Sequence, residues 1–403
     1  NENRGRLSEG ENREVNLISS MTESPKGKQN DTPKANSRRG FETYTEDVGI
    51  QPNQRTKYIE QNGWRTRMGG RGLKNGGNRV SEVVDNNTIT FYFSSKRWVR
   101  HTKDKFDIVY SFSLSPVTIL AAGNLYKKKN HVPHIVHCVD LWPESVVSTG
   151  RVRKNSLTYK ILYRWSKSLY NAADEILIGS PSFEKYFRNV LKLTDLKLTY
   201  IPQCSLITDC KESPIEYDKD HFNIVYCGNI GYLQNTHLIP ESMANVKNKV
   251  KFHIIGMGPC TDKLKQEIHN YGLEDKVIYY GPMNAKKASQ YFVNADAFFI
   301  SLADSEYVGS SIPNKMMMYM AFAKPIIGVI KGDGRKVLQD AKGNVIAEEN
   351  VENIAQNIEK LSSLNIAQRK EMGKNNLSYY NEHFHENVIC KQIEKILFSN
   401  KGI

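Results

Sequence analysis

The residues most capable of chemistry sit in the stretch Val250 to Pro259, where an apolar, β-branched run stops at Gly256-Met257-Gly258-Pro259. From Thr261 the chain reads as an amphipathic helix, so the stretch is a strand, a tight turn and a helix start. Such a junction turns backbone N–H groups and the positive end of a helix toward a crevice, where phosphate-bearing ligands bind. The pattern Gly-x-Gly-Pro is half of a dinucleotide fingerprint, and a turn that merely joins strand to helix is the plain alternative.

Regular spacing around that turn supplies the elements that position it. Residues 221–228 read as a strand before Asn229-Ile230-Gly231, and residues 276–281 as another buried strand. A helix opened by an Asn cap follows over 284–294, then a strand over 296–301, a helix over 313–322 and a strand over 324–329. This β-α-β-α-β alternation predicts a parallel sheet, and residues from about 215 to 380 form one doubly wound domain. Farther upstream the expected elements are strands over 88–93, 106–112 and 134–139, with a helix over 116–128.

A chain of 403 residues holds two such domains, and 39% hydrophobic residues suffice for two cores. No run approaches the roughly 18 consecutive apolar residues of a membrane span, so the protein is expected not to cross a bilayer. Six cysteines, Cys138, Cys204, Cys210, Cys227, Cys260 and Cys390, lack metal-ligand spacing and read as buried, reduced thiols of a cytoplasmic protein. No signal peptide is visible, although the sequence begins at Asn1 rather than methionine.

The net charge of +13 calls for a partner. Without an RNA- or DNA-binding motif among the basic residues, nucleic acid is the weaker answer, and an anionic membrane surface or a diphosphate ligand the better one. Lys127, Lys128 and Lys129 close one expected helix. Arg151, Arg153, Lys154, Lys160, Arg164 and Lys167 decorate another, whose apolar residues Leu157, Ile161, Leu162, Trp165 and Leu169 recur at helical spacing. A basic amphipathic helix can dock on a membrane or pack its stripe on a sheet, and the two readings are compatible. Residues 1–39 have the composition of a disordered segment, and the Gly- and Arg-rich residues 61–79 read as linker.

The sequence His137-Cys138-Val139-Asp140-Leu141-Trp142-Pro143-Glu144-Ser145 resembles the Asp-Leu-Trp-Pro-Glu-Ser signature of bacterial family 4 glycosyltransferases. The similar subset builds capsule, exopolysaccharide and O-antigen chains. Further landmarks follow in the same order: Gly228-Asn229-Ile230-Gly231 with Gln234, Gly256-Met257-Gly258-Pro259, Ala295-Asp296-Ala297, and Ile312-Pro313-Asn314-Lys315 before Tyr319 to Pro325. The resemblance spans about residues 106–385. It implies an α/β GT-B architecture of two Rossmann-like domains facing across a cleft, the N-terminal one truncated or divergent. The expected boundaries are a low-complexity or divergent segment 1–87, an acceptor-side domain 88–210, a nucleotide-sugar domain 211–385, and a C-terminal helix 386–403 that can pack back on the N-terminal domain. It further implies retention of stereochemistry, with neither metal nor cofactor and a nucleotide sugar, most simply UDP-linked, as substrate.

On this reading Gly309, Ser310, Ser311 and Ile312, ahead of a helix opened by Pro313, offer N–H groups and hydroxyls to the diphosphate. Lys315 adds a cation, and an ordinary capped helix is the alternative. Asn229 and Gly231 face the phosphates from the other side, Gly256 and Gly258 line the donor site, and Pro282 and Met283 lie where the family's backbone contacts the base. In the facing domain Asp140 accepts a sugar hydroxyl or supports an oxocarbenium ion, or else caps the turn before Trp142-Pro143. Glu144 and His137 are lesser catalytic candidates, with a core histidine as the alternative for His137. Ser111 and Ser113 contact donor or acceptor, and Trp142 reads as packing. Arg151, Arg153 and Lys154 serve the acceptor side.

The sequence departs from the family where Ser310 and Met318 replace a pair of glutamates, the second of which binds ribose. It departs again where Asn229 and Gln234 replace an Arg and a Lys at the diphosphate. The family's first strand and its glycine-rich turn are not found in residues 1–87. The expected function is transfer of a hexose or N-acetylated amino sugar to a lipid-diphosphate-linked glycan at the cytoplasmic face of the plasma membrane, on an anionic surface and without nucleic acid. The alternatives are a sugar-nucleotide epimerase of the same architecture and a catalytically silent nucleotide- or glycan-binding scaffold.

Overall fold

The computed structural model describes residues 17–21, 57–60, 86–113, 115–148, 150–204 and 214–400. The expected linker 61–79 and the boundary at 210 lie outside them. The N-terminal domain comprises β1 (Leu17–Met21), β2 (Lys57–Glu60), α1 (Asn86–His101), β3 (Ile108–Ser113), α2 (Leu120–Asn130) and β4 (His134–Cys138). It continues with α3 (Glu144–Ser148), α4 (Leu157–Asn171), β5 (Glu175–Ile178), α5 (Phe183–Lys185) and β6 (Lys197–Tyr200). Its sheet has the order β2-β1-β3-β4-β5-β6, and every pairing is parallel.

The C-terminal domain runs β7 (Phe222–Cys227), α6 (Leu238–Ala244), β8 (Val250–Ile255), α7 (Thr261–Asn270), β9 (Val277–Gly281), α8 (Ala285–Val293) and β10 (Ala297–Ser301). There follow α9 (Asn314–Ala321), β11 (Ile326–Val329), α10 (Gly332–Asp340), β12 (Asn344–Ile346), α11 (Val351–Ser362) and α12 (Ile366–His383). The order β12-β11-β10-β7-β8-β9 reverses direction between β7 and β10. A crevice opens at the carboxyl ends of the strands at such a switch point. Local chemistry sets the helix starts: the Asn284 side chain accepts the Lys287 N–H, and Asn365 with Gln368 forms a capping box on α12.

Two expectations need correction. Residues 88–93, read as a strand from their β-branched and aromatic content, lie in helix α1. Phe91, Ser95 and Val99 recur every fourth residue and are buried, with Phe91 in the cluster around Val117 and Leu120 and Val99 beside Phe106 and Tyr126. Tertiary packing overrides the β propensity of that run. The N-terminal sheet is also not short at its front: β1 and β2 precede residue 88, and β1 pairs with both β2 and β3.

The helix α13 (Glu386–Asn400) returns to the N-terminal sheet. Its Ile389 and Leu397 pack with Ile108, Tyr110, Ile135, Leu177 and Ile201. Asn400 Nδ2 also donates to the buried Glu175 carboxylate at 2.8 Å.

In the C-terminal domain the turn after β8 lies directly on the turn after β7. A methyl group on Gly256, whose φ is +140°, would collide with the Gly228 carbonyl. Gly256→Ala is therefore expected to destabilise this domain by about 3 kcal/mol, seen as a lower urea midpoint. A midpoint equal to that of the parent would show that the two turns separate freely.

Candidate active site

Parallel strands put their carboxyl ends on one side, and in each domain that side carries the residues singled out above. Ser113 ends β3 and Asp140 follows β4, with Ser180, a residue not expected there, after the neighbouring β5. Gly228 and Asn229 follow β7, and the loop 302–313 follows β10. The two sides meet: the Ile312 N–H donates to Ser180 Oγ at 2.7 Å, and the Ser182 N–H donates to Asp333 Oδ2 at 2.7 Å. Lys154 Nζ pairs with Glu306 at 2.5 Å, and the Tyr186 and Tyr307 rings meet edge-on at 5.4 Å.

Asp140 is half-buried behind the end of β4. Burial pushes its carboxyl up to about 6, against the opposing effect of hydrogen bonds with the Ser145 side chain and the Leu141 backbone. Holding a charge where water is scarce costs stability, as is common at sites built for function. Ser113, on the adjacent strand, is fully buried, and its hydroxyl finds no partner among the described residues.

On the C-terminal side, Lys315 lies in the first turn of α9 with its amine beneath the β7 turn. Nζ donates to Tyr226 Oη at 3.2 Å and sits 4.4 Å from that ring's centre. A Cβ on Gly228 would come within 2.9 Å of it, so glycine leaves the slot the amine fills. Among the described residues no carboxylate pairs with Lys315. Burial lowers its pKa to about 8, slightly opposed by the Cys227 thiol. A desolvated cation at a switch point, beside the Asn314 and Lys315 N–H groups at the start of α9, is a place for an anion.

Other expected site residues are placed differently. His137 is buried with both ring nitrogens engaged, Nδ1 with the Tyr110 hydroxyl at 2.7 Å and Nε2 with the Ile201 carbonyl at 2.9 Å. Burial lowers its pKa to about 4, so it is a core histidine under α13 rather than an acid–base group. Ser111 is likewise buried, its hydroxyl on His134 Nε2 at 2.8 Å, away from the crevice. Glu144 is buried and accepts the Tyr159 hydroxyl at 2.6 Å.

Gly256 and Gly258 spend their N–H groups on the Gly281 carbonyl and the Thr261 hydroxyl. They pack turn on turn rather than opening a phosphate cradle. In the loop before α9, the Gly309 N–H, the Ser310 and Ser311 hydroxyls and the Ile312 N–H are taken by Ser305, Glu306, Val308 and Ser180. Pro313 is the N-cap, one residue before the helix proper.

Asn229 is exposed and donates to the Gln234 side chain at 3.1 Å, with Gly231 packed against both. Pro282 is exposed and Met283 half-buried just past the end of β9, and Met318, in α9, is half-buried against the core. Arg151 and Arg153 are exposed, whereas Lys154 is engaged by Glu306. The sequence reading passes over Ser180, Tyr226, Glu306 and Asp333. For the first of these a signal exists, since Gly179-Ser180-Pro181-Ser182 is a turn-forming run directly after a buried strand.

Comparison with known proteins bears on the C-terminal crevice most directly. Residues 211–378 match the family of glycosyl transferases group 1. The C-terminal domain is similar to that group.

The chain is 26% identical over 255 residues to the probable glycosyltransferase WbjE of Pseudomonas aeruginosa, covering 60% of this chain and 61% of that protein. It is 22% identical over 191 residues to the putative colanic acid biosynthesis glycosyltransferase WcaL of Escherichia coli strain K12, covering 46% and 47%. The matched region thus spans about half to three-fifths of these relatives. Among solved structures, sucrose-phosphate synthase from Thermosynechococcus elongatus superposes with a TM-score of 0.63 at 14% identity, over 78% of this chain and 81% of that one. Anabaena HepE in complex with UDP superposes with a TM-score of 0.60 at 12% identity, over 85% and 86%. The fold is GT-B, two Rossmann-like domains of parallel sheet, as in these solved structures.

Proposed function

We propose that the chain is a retaining glycosyltransferase that moves a hexose or N-acetylated amino sugar from a nucleotide diphosphate, UDP-linked, to a lipid-diphosphate-linked glycan in cell-surface polysaccharide synthesis. The observation that carries this reading is Lys315, a buried amine without a carboxylate partner among the described residues, at the switch point of a domain similar to glycosyl transferases group 1. The relatives' names, a probable glycosyltransferase and a putative colanic acid biosynthesis glycosyltransferase, support the transfer and its setting. The UDP held by the similarly folded HepE supports a uridine donor.

In the reaction the anomeric carbon exchanges its bond to the β-phosphate oxygen for one to an acceptor hydroxyl, and the bonding electron pair stays with the diphosphate. Charge then grows on the leaving phosphate. Fixed cations and dipoles aimed there lower the barrier, because a dry site strengthens them and needs no reorganisation. Lys315 and the first-turn N–H groups of α9 supply that stabilisation, with Asn229 and Gly231 on the opposite side and Pro282 and Met283 at the base. Asp140 faces them from the N-terminal domain, where its carboxylate holds a sugar hydroxyl or offsets positive charge at the anomeric carbon. Neither role draws on a metal or cofactor. Incubation with UDP-sugars and a polyprenyl-diphosphate-linked glycan tests the reading: acceptor-dependent release of UDP with extension of the glycan supports it, and extension by none of the common UDP-sugars overturns it.

The acceptor side belongs to a membrane surface on this account. Leu157 and Ile161 lie one turn apart on α4 and are 75% and 49% exposed, with Lys160 and Arg164 exposed beside them. Helix α1 touches α4 through Tyr92 and Trp165 and adds Phe93, 64% exposed, with Arg97 and Arg100. Exposed apolar side chains ringed by cations suit the interface of an anionic bilayer, and Arg151 and Arg153 stand ready for the acceptor's diphosphate. The double replacement Leu157→Ser with Ile161→Ser is expected to weaken binding to vesicles containing anionic lipid by about tenfold in a flotation assay. Undiminished binding would remove α4 from the membrane contact.

A further inference from the structure

We propose that Tyr226 is the positioning residue of the donor site, holding Lys315 aimed at the diphosphate and locking the β7 turn to α9 through one hydroxyl. The inference rests on the reading of Lys315 as the diphosphate cation.

The geometry fixes the direction of each bond. Tyr226 Oη donates its single proton to the Asn229 carbonyl at 2.5 Å. Its lone pairs are then what the Lys315 ammonium meets at 3.2 Å, while the same ring lies 4.4 Å from Nζ. A phenol that must donate elsewhere can only accept from the lysine, so it favours the charged amine, and the ring face adds a cation–π attraction. Tyr226 is fully buried, so its ring cannot swing away. The neighbouring groups offer no substitute. The Tyr319 hydroxyl is occupied by the Cys227 N–H at 2.8 Å and the Cys227 carbonyl at 3.1 Å. The Cys227 thiol is pushed up to about 11 by burial and stays neutral near pH 7. Among the described residues Tyr226 is thus the side chain that both accepts from the Lys315 amine and faces it with a ring.

The arrangement also couples the two sides of the site. The Asn229 carbonyl belongs to the turn that presents Asn229 and Gly231, and Lys315 to the helix across the switch point. The Tyr226 hydroxyl bridges both. Removing one oxygen atom frees the turn and weakens the hold on the cation together, whereas the buried ring keeps its packing.

The test is calorimetric binding of UDP, and of inorganic pyrophosphate as a base-independent probe, to the full chain from pH 6.5 to 9.5. Four proteins are compared: the parent, Tyr226→Phe, Lys315→Ala and the double variant, with thermal melting to show that each is folded. The parent should bind more weakly as pH rises through about 8, where the Lys315 amine loses its proton. Tyr226→Phe should weaken both ligands about tenfold at pH 7 and move that decline to lower pH. Lys315→Ala should abolish the decline, and the double variant should lose less than the sum of the two single losses, because part of the Tyr226 effect passes through the lysine. If Tyr226→Phe matches the parent in affinity and pH profile while Lys315→Ala weakens binding, the role of Tyr226 is overturned and the donor site stands. If the double variant loses the sum of both single effects, Tyr226 acts independently and the proposal fails. If Lys315→Ala binds like the parent, the reading beneath the proposal falls with it.

Discussion

Asp140→Asn is expected to lose glycosyl transfer by about 100-fold or more while binding UDP as the parent does, and to melt at a higher temperature. The two effects share one cause. The carboxyl is held half-buried at the end of β4, and burial raises its pKa to about 6. The folded state therefore binds this proton more tightly than the unfolded chain, whose carboxyl titrates near 4. Stability contributed by this group falls as pH rises from about 4 to about 6 and stays at the lower level above that. An amide keeps the shape and carries no charge, so at pH 7 the variant gains on the order of 1 kcal/mol. Activity has the opposite dependence: the carboxylate needed for transfer disappears as pH falls through about 6, and turnover should fall with it. A variant that melts higher and transfers normally would leave Asp140 as a turn residue before Trp142 and Pro143.

Lys315→Ala is the second large effect. Affinity for UDP should fall by about 10- to 100-fold at pH 7, with uridine affected by no more than about twofold, because the amine's partner is phosphate. The sign of the pH dependence follows from burial, which lowers the pKa to about 8 from an unfolded value near 10.5. In the parent the stability cost of the buried ammonium is full below about 8 and fades as pH rises toward 10.5. Bound diphosphate offsets that cost only while the amine is charged. Above pH 8 the parent's affinity should thus approach the variant's. Equal losses for UDP and uridine would mean that Lys315 shapes the base or ribose pocket instead.

The C-terminal domain is legible because its central strands are buried on both faces and its strands end at glycine or polar turns. Residues 250–255, 277–281 and 297–301 stand out as apolar runs, and their partners follow from the alternation with helices. The N-terminal domain hides more. Residues 88–93 have strand composition, and only the four-residue recurrence of Phe91, Ser95 and Val99 betrays helix α1. Strand β1 is five residues long in a polar setting, and its place between β2 and β3 comes from backbone pairing, which composition does not display.

Within the site, the pattern separates residue types but not their neighbours. The glycines at 256 and 258 look like a phosphate cradle, yet close contact between two turns demands glycine just as strictly. His137 and Ser111 stand on strands that lead to the crevice, but partners far away in sequence claim them. His137 is closed off by Ile201 beneath α13, and Ser111 by His134. The clasp of Ser180 on Ile312 and of Asp333 on Ser182 joins positions more than 100 residues apart, so no local pattern announces it. Asp140 and Lys315 stand at a strand end and at a helix start, places that the local pattern does display, and burial shifts both groups.

The measurement that bears most directly on the central claim is a thermal-melting titration of the full chain with UDP, GDP, ADP and their common sugar conjugates. A ligand bound only by the folded state stabilises it by RT ln(1 + [L]/Kd), about 2.7 kcal/mol at 100 times Kd. The account predicts a rise of several degrees with UDP and its sugar conjugates, little change with uridine, and loss of the rise in Lys315→Ala. No shift with any of the nucleotides, in a chain that melts cooperatively, would contradict a nucleotide-sugar site in the C-terminal domain and leave a glycan-binding scaffold as the better description.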